Sequence, residues 1–186
     1  MTPRHRKKLP GLWLMTDERV APDLLVKAAR RLPKGRAGIV FRHYRTAAPA
    51  RRHLFDTLRA IARRRRLVLM LAGTARQAMA WRADGWHGHG AGHACRLLLR
   101  SAPVHNAPQL HRAVAAGADF VFLSPLFPTL SHPDGPTLGR VRFAALAHQA
   151  GVPVMALGGV GGNHRPMLRR LGAAGWAAID GLTGQS

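Results

Sequence analysis

Two stretches of this chain combine residue types and spacings that could do chemistry. The first is Gly158-Gly159-Val160, followed by Gly161-Gly162 and Asn163. Glycine pairs expose main-chain N–H groups, and a helix starting near Asn163 would add the positive end of its dipole. Together they read as a phosphate cup. A tight turn that merely needs positive φ explains the same glycines. The second is His87-Gly88-His89-Gly90-Ala91-Gly92-His93. His87 and His89 would share a face of a strand. Zinc wants further ligands, often a carboxylate or another histidine, and the spacing assures none. No metal site is therefore assigned, and a Gly/His-rich loop is the competing account. His105 and His132 have the intrinsic pKa for acid–base work, against a structural or solvated role for each. Nucleophile elbows, Walker loops and paired carboxylates are absent from the sequence.

Such residues need elements to hold them. Short apolar runs predict strands over residues 12–16, 37–42, 67–71, 84–87, 97–100, 119–123, 153–157 and 176–179. Helices are expected over 22–31, 49–65, 74–81, 108–116, 140–149 and 163–171, from 3–4 periodicity, proline near their starts and glycine beyond their ends. Regular βα alternation points to an α/β fold with a parallel sheet. Eight units point to a closed (β/α)₈ TIM barrel. The chain is short for that fold. Only 90–95 separate strands four and five, and six residues follow Asp180, so helices four and eight should be shortened or missing. Bare outer wall there would suit a homo-oligomer or a docking partner. Residues 1–10 read as a basic arm, and 11–186 as one barrel domain.

Composition sets bounds. A formal charge of +21 suggests a polyanion partner. Arginine is spread over nearly every expected helix, and aromatics fall in expected strands rather than on a basic stacking platform. Nucleic acid is expected only as a non-specific partner. No apolar run approaches the ~20 residues that span a bilayer, no secretory signal is apparent, and the lone Cys95 precludes an internal disulfide. A cytoplasmic protein is expected.

In a barrel the site lies at the C-terminal strand ends. These read Thr16-Asp17, Arg42-His43, Gly73, His87, Ser101, Ser124, Gly158-Gly159 and Asp180. After strand six a long loop runs to Gly139, with four prolines, Thr129, Ser131 and His132. Loops of this length usually serve a function, here as wall or lid over a ligand.

The order of segments resembles the thiamine phosphate synthase/TenI family over roughly residues 11–183. The carrying segments are LWLMTDERV (12–20), FR (41–42), ADGWHGHG (83–90), His105-Asn106, AGADFVFLSPLFPT (116–129) with Gly139, VPVMALGGV (152–160) and GAAGWAAID (172–180). The resemblance implies a (β/α)₈ barrel. It also implies thiamine chemistry: coupling a pyrimidine pyrophosphate to a thiazole phosphate with Mg²⁺, or action on the thiazole product. Arg42 matches the family's strand-two arginine, whereas Val40 and Tyr44 stand where glutamine and lysine are usual. No carboxylate follows strand three or strand four, where the family holds its metal.

The expectation is thus a divergent member that binds a small heterocycle, with or without a phosphate. Mg²⁺ is expected only if synthase chemistry persists, and no other cofactor is assigned. Arg42 would hold anionic oxygen, and His105 or His132 would move a proton. Ser124 or Ser101 would hydrogen-bond the ring. Gly158, Gly159, Val160 and Thr129 would complete the phosphate and loop contacts. A non-catalytic binding or regulatory barrel is the alternative.

Overall fold

The structure is a computed structural model that describes residues 9–89, 98–129 and 135–183. Eight parallel strands close into a barrel in sequence order, β8 pairing with β1. They are β1 Leu12–Met15, β2 Ala37–Phe41, β3 Val68–Ala72, β4 Gly85–His87, β5 Leu99–Val104, β6 Phe120–Leu123, β7 Val154–Ala156 and β8 Gly175–Ala178. The main helices are α1 Pro22–Arg31, α2 Ala48–Arg65, α3 Ala75–Ala80, α4 Ala107–Ala115, α5 Gly139–Gln149 and α6 Arg165–Arg170. The last is α7, the single turn Asp180–Thr183, the vestige expected after strand eight. Between β4 and β5 no helix is formed among the described residues; 90–97 lie outside them.

Strand alternation sorts side chains into two environments. One set fills the barrel: Trp13, Met15, Val40, Met70, Phe120, Phe122 and Met155. The other packs outward under the helices. Trp13 stacks on Phe120 at 5.0 Å and meets Phe122 edge-on at 5.7 Å. It fits because Gly38 carries no side chain; a Cβ there would lie 2.3 Å from the Trp13 ring. Burying each of these phenylalanines contributes roughly 1.5–3 kcal/mol.

Three boundaries differ from the sequence reading. The basic arm does not extend to residue 10, since Leu9 packs against the barrel interior and the Pro10 carbonyl accepts from the Trp13 indole at 2.8 Å. The fifth strand does not end at Arg100. It runs on to Val104, with Ser101, Ala102, Pro103 and Val104 in register with β6. Pro103 looks like a strand stop because it lacks an N–H, yet the rest of the ladder carries it. Asn163 does not cap the sixth helix. A 3₁₀ turn, Gly162–His164, comes first, and His164 Nδ1 accepts the Gly161 N–H at 3.0 Å. Pro166, with no N–H to give, suits the first turn of α6 beyond it.

Candidate functional site

The C-terminal strand ends form a mouth with an apolar floor and a polar rim. Ala72 and Phe122 are buried in the floor, and Leu157 and Ile179 are partly buried beside them. The rim gathers Asp17, Arg42, His105 and Ser124.

On the β1–β2 side the rim is a side-chain network. Thr16 is fully buried. Its hydroxyl accepts the Arg42 main-chain N–H at 2.9 Å and lies 3.0 Å from His43 Nδ1. Arg42 Nε donates to the Thr16 carbonyl at 2.8 Å and Nη2 to Asp17 at 3.2 Å. Arg19 forks the same carboxylate at 2.9 and 3.0 Å. That fork, with the cation Arg42 beside it, holds the Asp17 pKa down to about 2. His43 stacks flat on Phe41, and burial pushes its pKa down. Arg51 reaches in from α2 and donates to the Ala72 carbonyl at 3.0 Å, its guanidinium over the Trp81 ring.

Deeper in the barrel His87 points at Ser101, Nδ1 to Oγ 3.0 Å, and meets Phe122 edge-on. The Ser101 hydroxyl donates to the Met70 sulfur at 3.7 Å. It therefore accepts from His87, which sets the Nδ1–H tautomer. Burial first, then Arg42 and His89, lower the His87 pKa to about 3, so it is neutral. His89 is exposed, and the described residues hold no group of three metal-ligand side chains. His93 lies outside them.

On the β5–β6 side α4 fixes His105. Asn106 caps the helix by accepting from the Gln109 N–H at 3.0 Å, and Gln109 Oε1 accepts from the His105 N–H at 2.8 Å. His105 Nδ1 lies 2.7 Å from the Ser124 carbonyl and 3.3 Å from its hydroxyl. A carbonyl only accepts, so Nδ1 carries the proton and Nε2 is left as the basic nitrogen.

The loop after β6 is pinned at its base, Leu138 N–H to the Pro125 carbonyl at 2.9 Å and Gly139 N–H to the Leu126 carbonyl at 3.2 Å. Thr129 is half-buried on it. His132 and Ser131 lie outside the described residues. The Gly158-Gly159 pair seats this loop. Gly158 has φ 95°, and a Cβ there would lie 2.8 Å from Pro125 Cα; one on Gly159 would meet the Pro128 carbonyl at 2.6 Å. Phe127 N–H donates to the Gly158 carbonyl at 3.1 Å. Val160 turns its side chain into the outer core. Glycine here thus has a steric reason independent of any phosphate.

The structure brings Arg42, His105, Ser124, Gly158 and Gly159 to one mouth, with Ser101 a layer below on the extended β5. Residue patterning missed the joining of Thr16, Asp17 and Arg42 across 25 or 26 positions, and the Arg51 brace. Inward alternation along β4 and β5 could have paired His87 with Ser101; nothing local distinguishes Arg51 from the other helical arginines. An open concavity of about 510 Å³ lies elsewhere, on the outer wall between α5 and α6, lined in part by Arg140, His164 and Arg170. The mouth is the candidate functional site because the convergent polar groups and the apolar floor are there.

Mg²⁺ takes oxygen ligands, chiefly carboxylates. The sequence has eight carboxylates. Asp134 and the Asp180 side chain lie outside the description. Asp23 and Asp56 are on helices, while Asp84 and Asp119 precede β4 and β6 at the far end and accept from the Leu69 and Arg100 N–H groups. At the mouth Asp17 is taken by two arginines, and Glu18 accepts from the Arg45 and Thr46 N–H groups. The described donors do not fit the ion.

Fold and mouth together define a (β/α)₈ barrel that gathers its polar side chains where the strands end. The thiamine monophosphate synthase family model, which includes the TenI proteins, matches residues 12–182. The chain belongs to that family. A thiamine-phosphate synthase of Salinispora arenicola is 33% identical over 94% of this chain and 90% of its own length. One from Alcanivorax borkumensis is 29% identical over 99% of this chain and 89% of its own. A thiamine phosphate pyrophosphorylase from Pyrococcus furiosus superposes with a TM-score of 0.78 at 23% identity, covering 93% of this chain and 87% of that one, a likeness of fold.

Proposed function

We propose that this barrel binds a thiazole-type heterocycle carrying an anionic group, as part of thiamine metabolism, and has lost the metal-assisted coupling step. The observation that carries this is the carboxylate inventory of the mouth. Pyrophosphate departure at neutral pH needs its charge neutralised, and both described mouth carboxylates are already engaged. Mg²⁺ bound by a full donor set would supply that neutralisation. The binding features remain. The floor of Ala72, Phe122, Leu157 and Ile179 takes the ring, Arg42 is held by Thr16 and Asp17 to meet an anionic oxygen, and Ser124 offers a hydroxyl.

A second reading is proton transfer on the bound ring, favoured by the His105 tautomer that leaves Nε2 basic. His105 would take a ring proton and return it, with no net loss of atoms.

Calorimetric titration with thiazole phosphate, thiamine phosphate and inorganic phosphate tests the first reading, beside a synthase assay with both substrates and Mg²⁺. Saturable binding of thiazole phosphate and no thiamine phosphate formation are expected. Turnover at an ordinary enzyme rate would overturn the loss of chemistry. Proton transfer is checked by NMR in D₂O: deuterium should enter the bound ring with wild type and not with His105→Gln.

A further inference from the structure

At the end of the barrel away from the mouth, the C-termini of α1 and α2 meet. The Gly35 N–H donates to the Arg65 carbonyl at 3.0 Å, and the Arg65 guanidinium donates to the Leu32 carbonyl at 2.6 Å. β2 and β3, which follow these two helices, pair Gly38 with Val68, so the turn after α1 and the end of α2 lead into neighbouring strands. This junction displays Arg30, Arg31, Lys34, Arg36, Arg63, Arg64 and Arg66, all exposed. Among the described residues none of these seven side chains is paired with a carboxylate.

Helix dipoles account for part of this, since cations suit the last turns of α1 and α2. They do not account for Lys34 and Arg36, which lie past the end of α1, whereas Arg66 is the C-cap of α2. Seven like charges gathered around one junction repel and call for an anionic counterpart.

We propose that this face binds the phosphate backbone of duplex nucleic acid without reading sequence. Six of the seven cations are arginine, whose planar fork matches phosphate oxygens. No aromatic side chain stands among them to stack unpaired bases, so a duplex fits better than a single strand. The exposed large apolar residues among those described are Tyr44, Met79 and Val141, none of them here, so the face has nothing to insert into a lipid surface. The ligand mouth stays open at the other end.

The test uses the full chain and a labelled 20-bp duplex DNA, by fluorescence anisotropy from 50 to 200 mM salt. The quadruple variant R31Q/R36Q/R63Q/R64Q removes four charges from the junction. The variant R140Q/R142Q/R165Q/R169Q removes four exposed charges from α5 and α6. The junction variant should lose at least tenfold in affinity, and its log–log salt slope should shrink by about 3.6, at about 0.9 for each of the four lost phosphate contacts. The α5–α6 variant should lose less than threefold. Equal losses would show that net charge alone acts. An unchanged junction variant would place binding elsewhere. Stronger junction-dependent binding to phosphatidylserine vesicles than to duplex would make the partner a membrane surface. Each of these overturns the proposal. The double variant R63Q/R64Q, confined to the exposed last turn of α2, repeats the test with little risk to folding. Thiazole phosphate affinity, measured alongside, should be equal in all variants.

Discussion

The two sides of the mouth are built by different means. At β1–β2 the rim is held by side chains: a buried threonine hydroxyl, a guanidinium and a carboxylate joined over 25 to 27 positions. At β6–β7 it is held by main chain against main chain, with the loop from Pro125 to Pro128 lying on Gly158 and Gly159. The first is directional and sensitive to charge. The second is steric and indifferent to charge. An added methylene should damage the second most, and a lost polar atom the first.

Gly158→Ala is the strongest break. The new methyl would sit 2.8 Å from Pro125 Cα, on a residue at φ 95°. Left-handed strain and overpacking together should cost about 3–5 kcal/mol. Chemical denaturation at neutral pH measures it, and a loss under 1 kcal/mol would show that the loop simply moves aside. Gly159→Asp meets the Pro128 carbonyl in the same way. Loss of ligand in that variant would report a displaced wall as readily as a lost phosphate contact.

The next effect arises between the two sides, at His87. Its folded pKa, about 3, lies below the ordinary 6.5. A depressed folded pKa gives stability that is present above 6.5 and lost as pH falls toward 3. At pH 4 the loss should be roughly 3 kcal/mol. His87→Met removes the titrating group, so the stability gap between the two proteins should change by that amount between pH 7.5 and 4. Parallel pH profiles in urea would refute it. Asp17 gives a separate, lower window: its stabilisation is present above about 4 and fades as pH falls through 2.

The sequence disclosed the steric side far better than the polar one. Glycine pairs and prolines announce backbone needs in single letters, so the Gly158-Gly159 turn and the loop after strand six were legible at once, though not their mutual contact. The barrel was legible because its strands are short apolar runs set between helical periods. Pro103 concealed the last four residues of β5, because a missing N–H reads as a stop when the neighbouring strand is unknown. The network at Thr16, Asp17 and Arg42 left no local trace. Each residue is ordinary where it stands, and only the pairing of Met15 with Val40 brings their strand ends together.

Thr16→Val tests that network with almost no change in shape. It leaves the Arg42 main-chain N–H facing a methyl group in a buried site and deprives His43 of its partner. An unsatisfied buried donor costs about 1–3 kcal/mol. Thr16→Ser, which keeps the oxygen, should recover most of it. Equal losses in the two variants would show that packing, not hydrogen bonding, holds this side.

The smallest effect on stability should come from Arg42, and it divides charge from geometry. The side chain is partly exposed, at 24%. Arg42→Lys keeps the cation but cannot bond the Thr16 carbonyl and Asp17 as a fork does. Asp17 keeps Arg19, so the cost should be only about 1 kcal/mol. Ligand affinity is the sharper readout. If a fixed guanidinium receives the anionic group, the lysine variant should bind thiazole phosphate about tenfold more weakly and Arg42→Gln more weakly still. If charge alone matters, lysine should match wild type and only glutamine should fail. Wild-type affinity in the glutamine variant would remove Arg42 from the site, and would leave the β1–β2 side of the mouth as scaffold for a ligand held by the loop opposite.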